Sequence, residues 1–210
     1  MKFMTQPNQG SEDWLKERAG KFTGSKFVDV MARSKKTGEP LKAYFDLIWQ
    51  IVAERLTGEP TEQVTAKSLQ WGNDIEPYAR EAYELETGCF VEQSGFLLHP
   101  DYEYAGCSPD GLVGNDGIIE MKCPKSPTIH LERFLSGVPD EYMPQIQGNL
   151  WVTNRNWCDF VSYDPRMPEQ YRLLIKRVNR DDIYIKHLEQ YVIEAESKVN
   201  ELINQLKVAA

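Results

Sequence analysis

A chain of 210 residues, 41% hydrophobic and 11% aromatic, is long enough for one domain with a sizeable core. No run is long and apolar enough to span a bilayer, and the polar start Met1-Lys-Phe-Met-Thr-Gln-Pro lacks the apolar segment of a secretory signal, which predicts a cytoplasmic protein. The formal net charge of −8 argues against a protein that coats nucleic acid by positive charge alone; a local basic track, with metal ions offsetting carboxylates, remains compatible with it.

The first ten residues are polar and read as loose. A short helix is predicted over 12–19, capped by Ser11, and a second should begin near Thr23 or Ser25 after the breaks at Gly20 and Gly24. Residues 34–40 read as an exposed loop. Leu41, Tyr44, Phe45, Ile48, Ile51, Val52 and Leu56 recur at three-to-four spacing, so 41–56 is a helix that Gly58 stops. Residues 65–86 are helical again, and Pro77 either starts a helix there or kinks a longer one.

The texture then changes. Segments 90–99, 104–107, 111–113 and 117–123 are short, strand-like and divided by Gly, Pro and Asp. Helices follow over 128–135 and 140–153, then two strands over 157–163 and 171–178. A long C-terminal helix carries Ile185, Leu188, Val192, Ala195, Val199, Leu202 and Leu206 as one stripe, which packs on the domain or on another subunit. Cys89, Cys107, Cys123 and Cys158 form no C-x-x-C pair and read as reduced, mostly buried thiols rather than a zinc or iron–sulfur site.

The informative stretch is 106–124. Gly114-Asn-Asp-Gly117 joins two short strands into a hairpin. Asp110 lies near the start of the first strand, and Glu120 and Lys122 lie on the second. Side chains two apart on a strand share a face, so Glu120 and Lys122 point the same way and Met121 the other. Charges on a hairpin are usually a solvated face. Here they follow Ile118 and Ile119 in a strand that reads as buried, where charge is costly unless paired or metal-bound. Two carboxylates are hard ligands suited to Mg²⁺, which would polarise a phosphodiester, with the lysine orienting water or stabilising developing charge. As a bare pattern this is weak, since Pro-Asp occurs three times and Glu-x-Lys recurs at Glu196. Only Asp110 with Glu120 has the hairpin context.

These residues resemble the PD-(D/E)xK nuclease superfamily, through Pro109-Asp110 and Glu120-Met121-Lys122. More narrowly, the chain resembles the phage lambda exonuclease (YqaJ-like viral recombinase) family. That likeness covers roughly 14–164 and rests on ordered blocks: Trp14-Leu-Lys-Glu-Arg18 leading to Thr23-Gly-Ser25, Trp71-Gly-Asn-Asp-Ile-Glu-Pro-Tyr-Ala-Arg80, Ser108-Pro-Asp-Gly-Leu112, Ile119-Glu-Met-Lys-Cys-Pro124 and Tyr142-Met-Pro-Gln-Ile-Gln-Gly-Asn-Leu-Trp151.

The resemblance implies an α/β (α+β) fold with a restriction-endonuclease-like core, a central mixed β-sheet flanked by helices. It implies one nuclease domain over 1–210, with a helical part to 60, a catalytic core over 61–180 and the C-terminal helix over 181–210. Asp110 and Glu120 would bind Mg²⁺, two ions per site with Mn²⁺ as a substitute, and the Met121 main-chain carbonyl would add a ligand. Lys122 would position or activate water, and Glu76 would complete the site from the other side of the sheet. Gln145 or Gln147 would orient substrate or water. They lie on different helix faces, and Gln147 is the preferred one. Arg18 and Ser25 would hold the terminal 5′-phosphate, a guanidinium being a bidentate phosphate ligand and a helix N-terminus a source of donors.

The implied activity is a processive 5′→3′ exonuclease on linear double-stranded DNA. It would work as a ring-shaped homotrimer in a bacterial host, encoded by phage or prophage, and leave 3′ tails for a single-strand annealing protein. The rival readings are a superfamily endonuclease, a catalytically dead DNA-end-binding protein and an iron–sulfur nuclease.

Overall fold

The computed structural model describes residues 9–61 and 67–209. Ser11 caps α1 (Glu12–Arg18), its side chain accepting from the Trp14 amide at 3.2 Å. Strand β1 (Phe22–Thr23) then runs into a single 3-10 turn, Gly24–Lys26, and the four-residue α2 (Phe27–Val30). The helix expected from Thr23 or Ser25 is therefore broken into two short pieces, and the Thr23 hydroxyl makes no cap. The amphipathic α3 (Lys42–Thr57) ends where predicted, at Gly58 in the left-handed region.

Helix α4 (Lys67–Thr87) runs through Pro77, so the proline lies inside a longer helix. The expected start at Thr65 falls outside the described residues. Segment 90–99 divides into β2 (Val91–Glu92) and β3 (Leu97–Leu98), which join different sheets. Next come β4 (Ala105–Cys107), β5 (Gly111–Val113), β6 (Gly117–Lys122) and α5 (Pro127–Ser136). The helix expected over 140–153 opens as a 3-10 turn, and α6 proper (Met143–Thr153) carries Pro144 in its first turn, where a missing N–H costs nothing. The chain closes with β7 (Trp157–Tyr163), β8 (Leu173–Asn179) and α7 (Asp182–Ala209).

The larger sheet is mixed, in the order β2-β5-β6-β7-β8, with only β6 and β7 parallel. A smaller sheet, β1-β4-β3, pairs Phe22 and Thr23 in parallel with Ala105 and Gly106. The smaller sheet was not foreseen. Gly106 in its central strand is obligatory by space, because a Cβ there would lie 2.7 Å from the Leu97 carbonyl oxygen.

Alternation along β6 divides the core in two. Ile118 belongs to one core with Ile146 and Leu150 of α6, Leu188 of α7 and Ile48 of α3. Ile119 and Met121 face Ala79 and Tyr83 of α4. The sheet is thus covered by α4 on one side and by α6, backed by α7 and α3, on the other. The α7 stripe from Ile185 to Val199 is buried against this domain, and Leu206 near its end is exposed. Burying each large apolar side chain of that stripe contributes about 1.5–3 kcal/mol. All four cysteines are free thiols, and burial raises the pKa of Cys107 and Cys158.

Candidate active site

The hairpin register sets the geometry. Gly111 pairs with Ile119 and Leu112 with Ile118, so Asp110 continues β5 opposite Glu120. Residues directly opposite on antiparallel strands share a face, which places both carboxylates on the α6 side. Asp110 Oδ2 accepts the Met121 amide at 2.6 Å, fixing that carboxylate across the strand end. Lys122 Nζ donates to Glu120 Oε1 at 2.6 Å.

Glu120 is 1% exposed, and its oxygens are claimed by three donors. Besides Lys122, Gln145 Nε2 donates to Oε1 at 2.6 Å and Asn149 Nδ2 to Oε2 at 3.4 Å. Gln145 and Asn149 stand four apart on α6, so they share one face; Gln147 does not. Gln147 donates to the Asn179 carbonyl and accepts the Asp181 amide, both at 2.9 Å, stapling α6 to the start of α7. The preference for Gln147 is thereby corrected: Gln145 reaches the site and Gln147 does not. Asn149 had been given no role, although its spacing from Gln145 was the available signal.

Glu76 approaches from α4, on the opposite face. Its Oε1 accepts Arg80 Nη2 at 3.0 Å, and the same nitrogen reaches the Asp110 carbonyl at 3.4 Å. Arg80 is a second residue that the sequence reading left without a role.

Electrostatics at this point are dominated by like charge. Burial raises the Asp110 carboxyl well above its ordinary range, and Glu120 and Glu76 push it further in that direction. Burial also raises Glu76, with Arg80 opposing and Glu120 reinforcing. For Lys122 burial works against the charge, but Glu120 and Asp110 outweigh it and raise the pKa. The ammonium lies 5.2 Å from the Tyr142 ring centre. Behind Tyr142, Arg133 donates to its hydroxyl at 3.0 Å and to Ser162 Oγ at 3.1 Å, while His130 Nδ1 pairs with the same Ser162 oxygen at 2.9 Å.

Three mutually repelling carboxylates at one strand end suit a cation. Among the described residues no three His, Cys, Asp or Glu side chains close around a single point as a cage. The donor set instead fits an ion that takes one or two carboxylates and fills its shell with water and phosphate oxygen, which is the habit of Mg²⁺. Asp110 and Glu120 are the residues that could hold it.

Arg18 and Ser25 also come together. Arg18 Nη2 donates to Ser25 Oγ at 3.2 Å and to Thr23 Oγ1 at 3.3 Å, and its guanidinium stacks 4.0 Å above the Trp14 ring. Trp14 Nε1 donates to Ser108 Oγ at 2.9 Å, two residues before Asp110. The segment 20–26 is anchored from below by Glu54, 2% exposed, which accepts the Gly20 amide at 2.7 Å and Lys26 Nζ at 3.4 Å.

Known proteins share this architecture. An alkaline exonuclease from Laribacter hongkongensis, LHK-Exo, superposes with a TM-score of 0.85 at 36% identity, covering 95% of this chain and 97% of that one. Its complex with dAMP superposes with a TM-score of 0.86, again at 36% identity and with the same shares covered. A phage related exonuclease from Haemophilus somnus 129PT is similar in fold, with a TM-score of 0.70 at 18% identity over 89% of this chain and 96% of that one. Protein R354 of Acanthamoeba polyphaga mimivirus is 26% identical over 174 residues, 77% of this chain, and the chain spans about 30% of that relative's length. Residues 13–156 match the YqaJ-like viral recombinase domain, and with that match covering well over half of its length the chain belongs to this family.

Proposed function

We propose that the chain is a Mg²⁺-dependent processive 5′→3′ exonuclease on linear double-stranded DNA, releasing 5′-mononucleotides. The observation that carries this reading is the placement of Asp110, Glu120 and Lys122 at one strand end, with the Arg18–Ser25 pair tethered to the same loop through Trp14 and Ser108. The names of the relatives support it: LHK-Exo is an alkaline exonuclease, and its complex holds dAMP, a mononucleotide of the class such an enzyme would release.

In this reading Arg18 and Ser25 take the terminal 5′-phosphate through charge-assisted hydrogen bonds. Asp110 and Glu120 hold Mg²⁺, which when bound polarises the phosphodiester and offsets charge on the leaving oxygen. Lys122, kept ammonium by its carboxylate neighbours, orients the attacking water. Gln145 fixes the Glu120 carboxylate, and Glu76 with Arg80 closes the site from the α4 side. The water oxygen adds to phosphorus, the bond to the 3′-oxygen breaks, and that oxygen takes a proton. The shortened strand keeps a 5′-phosphate, so each cut regenerates the end that the pocket recognises.

A ring-shaped homotrimer around the duplex would give processivity by topology, which suits a chain of net charge −8. The 3′ tails would pass to a single-strand annealing protein in the cytoplasm of a bacterial host. The test is digestion of linear duplexes bearing 5′-phosphate or 5′-hydroxyl ends, with and without Mg²⁺, beside a closed circular plasmid. Mononucleotide release from phosphorylated ends, with the circle intact, is expected. Cutting of the circle overturns the exonuclease reading, and indifference to the end group overturns the assignment of Arg18 and Ser25 to the terminal phosphate.

A further inference from the structure

The Asn149 side chain spans the interval between two sites that the proposed function treats separately. At one end its Nδ2 reaches Glu120 Oε2 at 3.4 Å. At the other end Oδ1 is buried and accepts no hydrogen bond, in a residue only 1% exposed. That oxygen lies against Gly24, where an added Cβ would come within 2.4 Å of it. Gly24 opens the 3-10 turn whose next residue is Ser25, the partner of Arg18. An added methyl group has no room there, and the buried oxygen is left without a donor.

We infer that Asn149 is a positioning residue that couples the end-phosphate pocket to the cation site. A 5′-phosphate seated on Arg18 and Ser25 sets the position of Gly24. Gly24 sets the tilt of the Asn149 amide, and the amide fixes Glu120 Oε2 for its metal. Glu120 Oε1 is already held by Lys122 and Gln145 at 2.6 Å each, so Oε2, with its one long contact, is the oxygen left to be adjusted. The consequence is recognition by linkage: a phosphorylated end raises affinity for the divalent cation, and by reciprocity the cation raises affinity for that end. This rests on the proposed assignment of Arg18 and Ser25 to the terminal phosphate.

The experiment measures Mn²⁺ binding by electron paramagnetic resonance, without turnover, using duplexes that carry a phosphorothioate at the first linkage and either a 5′-phosphate or a 5′-hydroxyl. Wild type is expected to bind Mn²⁺ about five-fold or more tightly with the phosphorylated duplex. In Asn149→Ala the ratio falls to about one, while preference for the phosphorylated end in metal-free DNA binding persists. Gly24→Ala, whose methyl group displaces Oδ1, gives the same collapse. An Asn149→Ala protein of unchanged melting temperature that keeps the wild-type ratio overturns the inference, as does a Gly24→Ala protein that keeps it. Equal Mn²⁺ affinity in a wild type that still prefers phosphorylated ends overturns the coupling alone. A wild type that binds both ends equally overturns the end-recognition reading together with it.

Discussion

Gln145 Nε2 stands 2.6 Å from Glu120 Oε1, the same oxygen that Lys122 holds from the strand side. Gln147, two residues on, is turned away and ties the Asn179 carbonyl to the Asp181 amide. The two glutamines should therefore fail differently. Gln145→Ala is expected to lower kcat about 10²-fold at unchanged melting temperature, the scale seen when one preorganised donor is removed. Gln147→Ala should leave kcat near wild type and cost about 1 kcal/mol in urea denaturation, because two part-buried backbone groups lose their partner. An inactive but fully stable Gln147→Ala would reverse the assignment.

Asp110→Asn tests the carboxylate itself. The amide oxygen can still accept the Met121 N–H, so the fold is preserved while a negative charge repelled by Glu120 and Glu76 disappears. Nuclease activity should fall by about 10³-fold or more. The melting temperature should hold or rise, since the repulsion is relieved. A large drop in melting temperature would mark Asp110 as structural.

Glu54 predicts how the segment 20–26 responds to acid. Burial on its own would raise its carboxyl, but hydrogen bonds from the Gln50 amide and the Gly20 N–H, with Lys26 and Thr61, outweigh it and lower the pKa from 4.5 to about 2. Because the folded value lies below the unfolded one, the stabilisation is fully present above about pH 4.5 and is lost as pH falls toward 2. About 3 kcal/mol is at stake. Urea melts at about pH 5.5 and about pH 2.5 should show this slope, and it should flatten in Glu54→Gln. An identical slope in the variant would place the acid sensitivity elsewhere.

Tyr142→Phe separates a ring from a hydroxyl. The ring remains beside Lys122, but Arg133 Nη2 loses its acceptor in a guanidinium whose Nε already has none. Stability should fall by about 1–3 kcal/mol while activity stays within several-fold of wild type. Tyr142→Leu should cost activity as well, by removing the ring face from the ammonium. Equal activity in both variants would deny the ring any part in placing Lys122.

The hairpin was readable in advance because its turn residues fix the register, and register alone sets Asp110 opposite Glu120. The helices α3 and α7 were readable because each buries one stripe. Helix α6 gave no such guide. From Ile146 to Val152 every residue is buried, so no amphipathic phase tells the face of Gln145 from that of Gln147. The small sheet was hidden for another reason: two-residue strands carry no pattern, and Phe22 finds Ala105 only through tertiary pairing. Arg80 escaped because it serves through Glu76 and the Asp110 carbonyl, which leaves no local mark, and the one mark that Asn149 carries is its spacing of four from Gln145.

In the proposed exonuclease, the parallel pairing of β1 with β4 would bear on how far each catalytic cycle advances. Thr23 is registered on Gly106; Ser25 lies two residues further on, in the 3-10 turn, and Asp110 four residues further on, past the end of β4. That main-chain pairing would thus act as a ruler between the proposed end pocket and the proposed cation site. A ruler of that kind keeps its length whatever base occupies it, so the increment per cycle would be the same on any sequence of DNA.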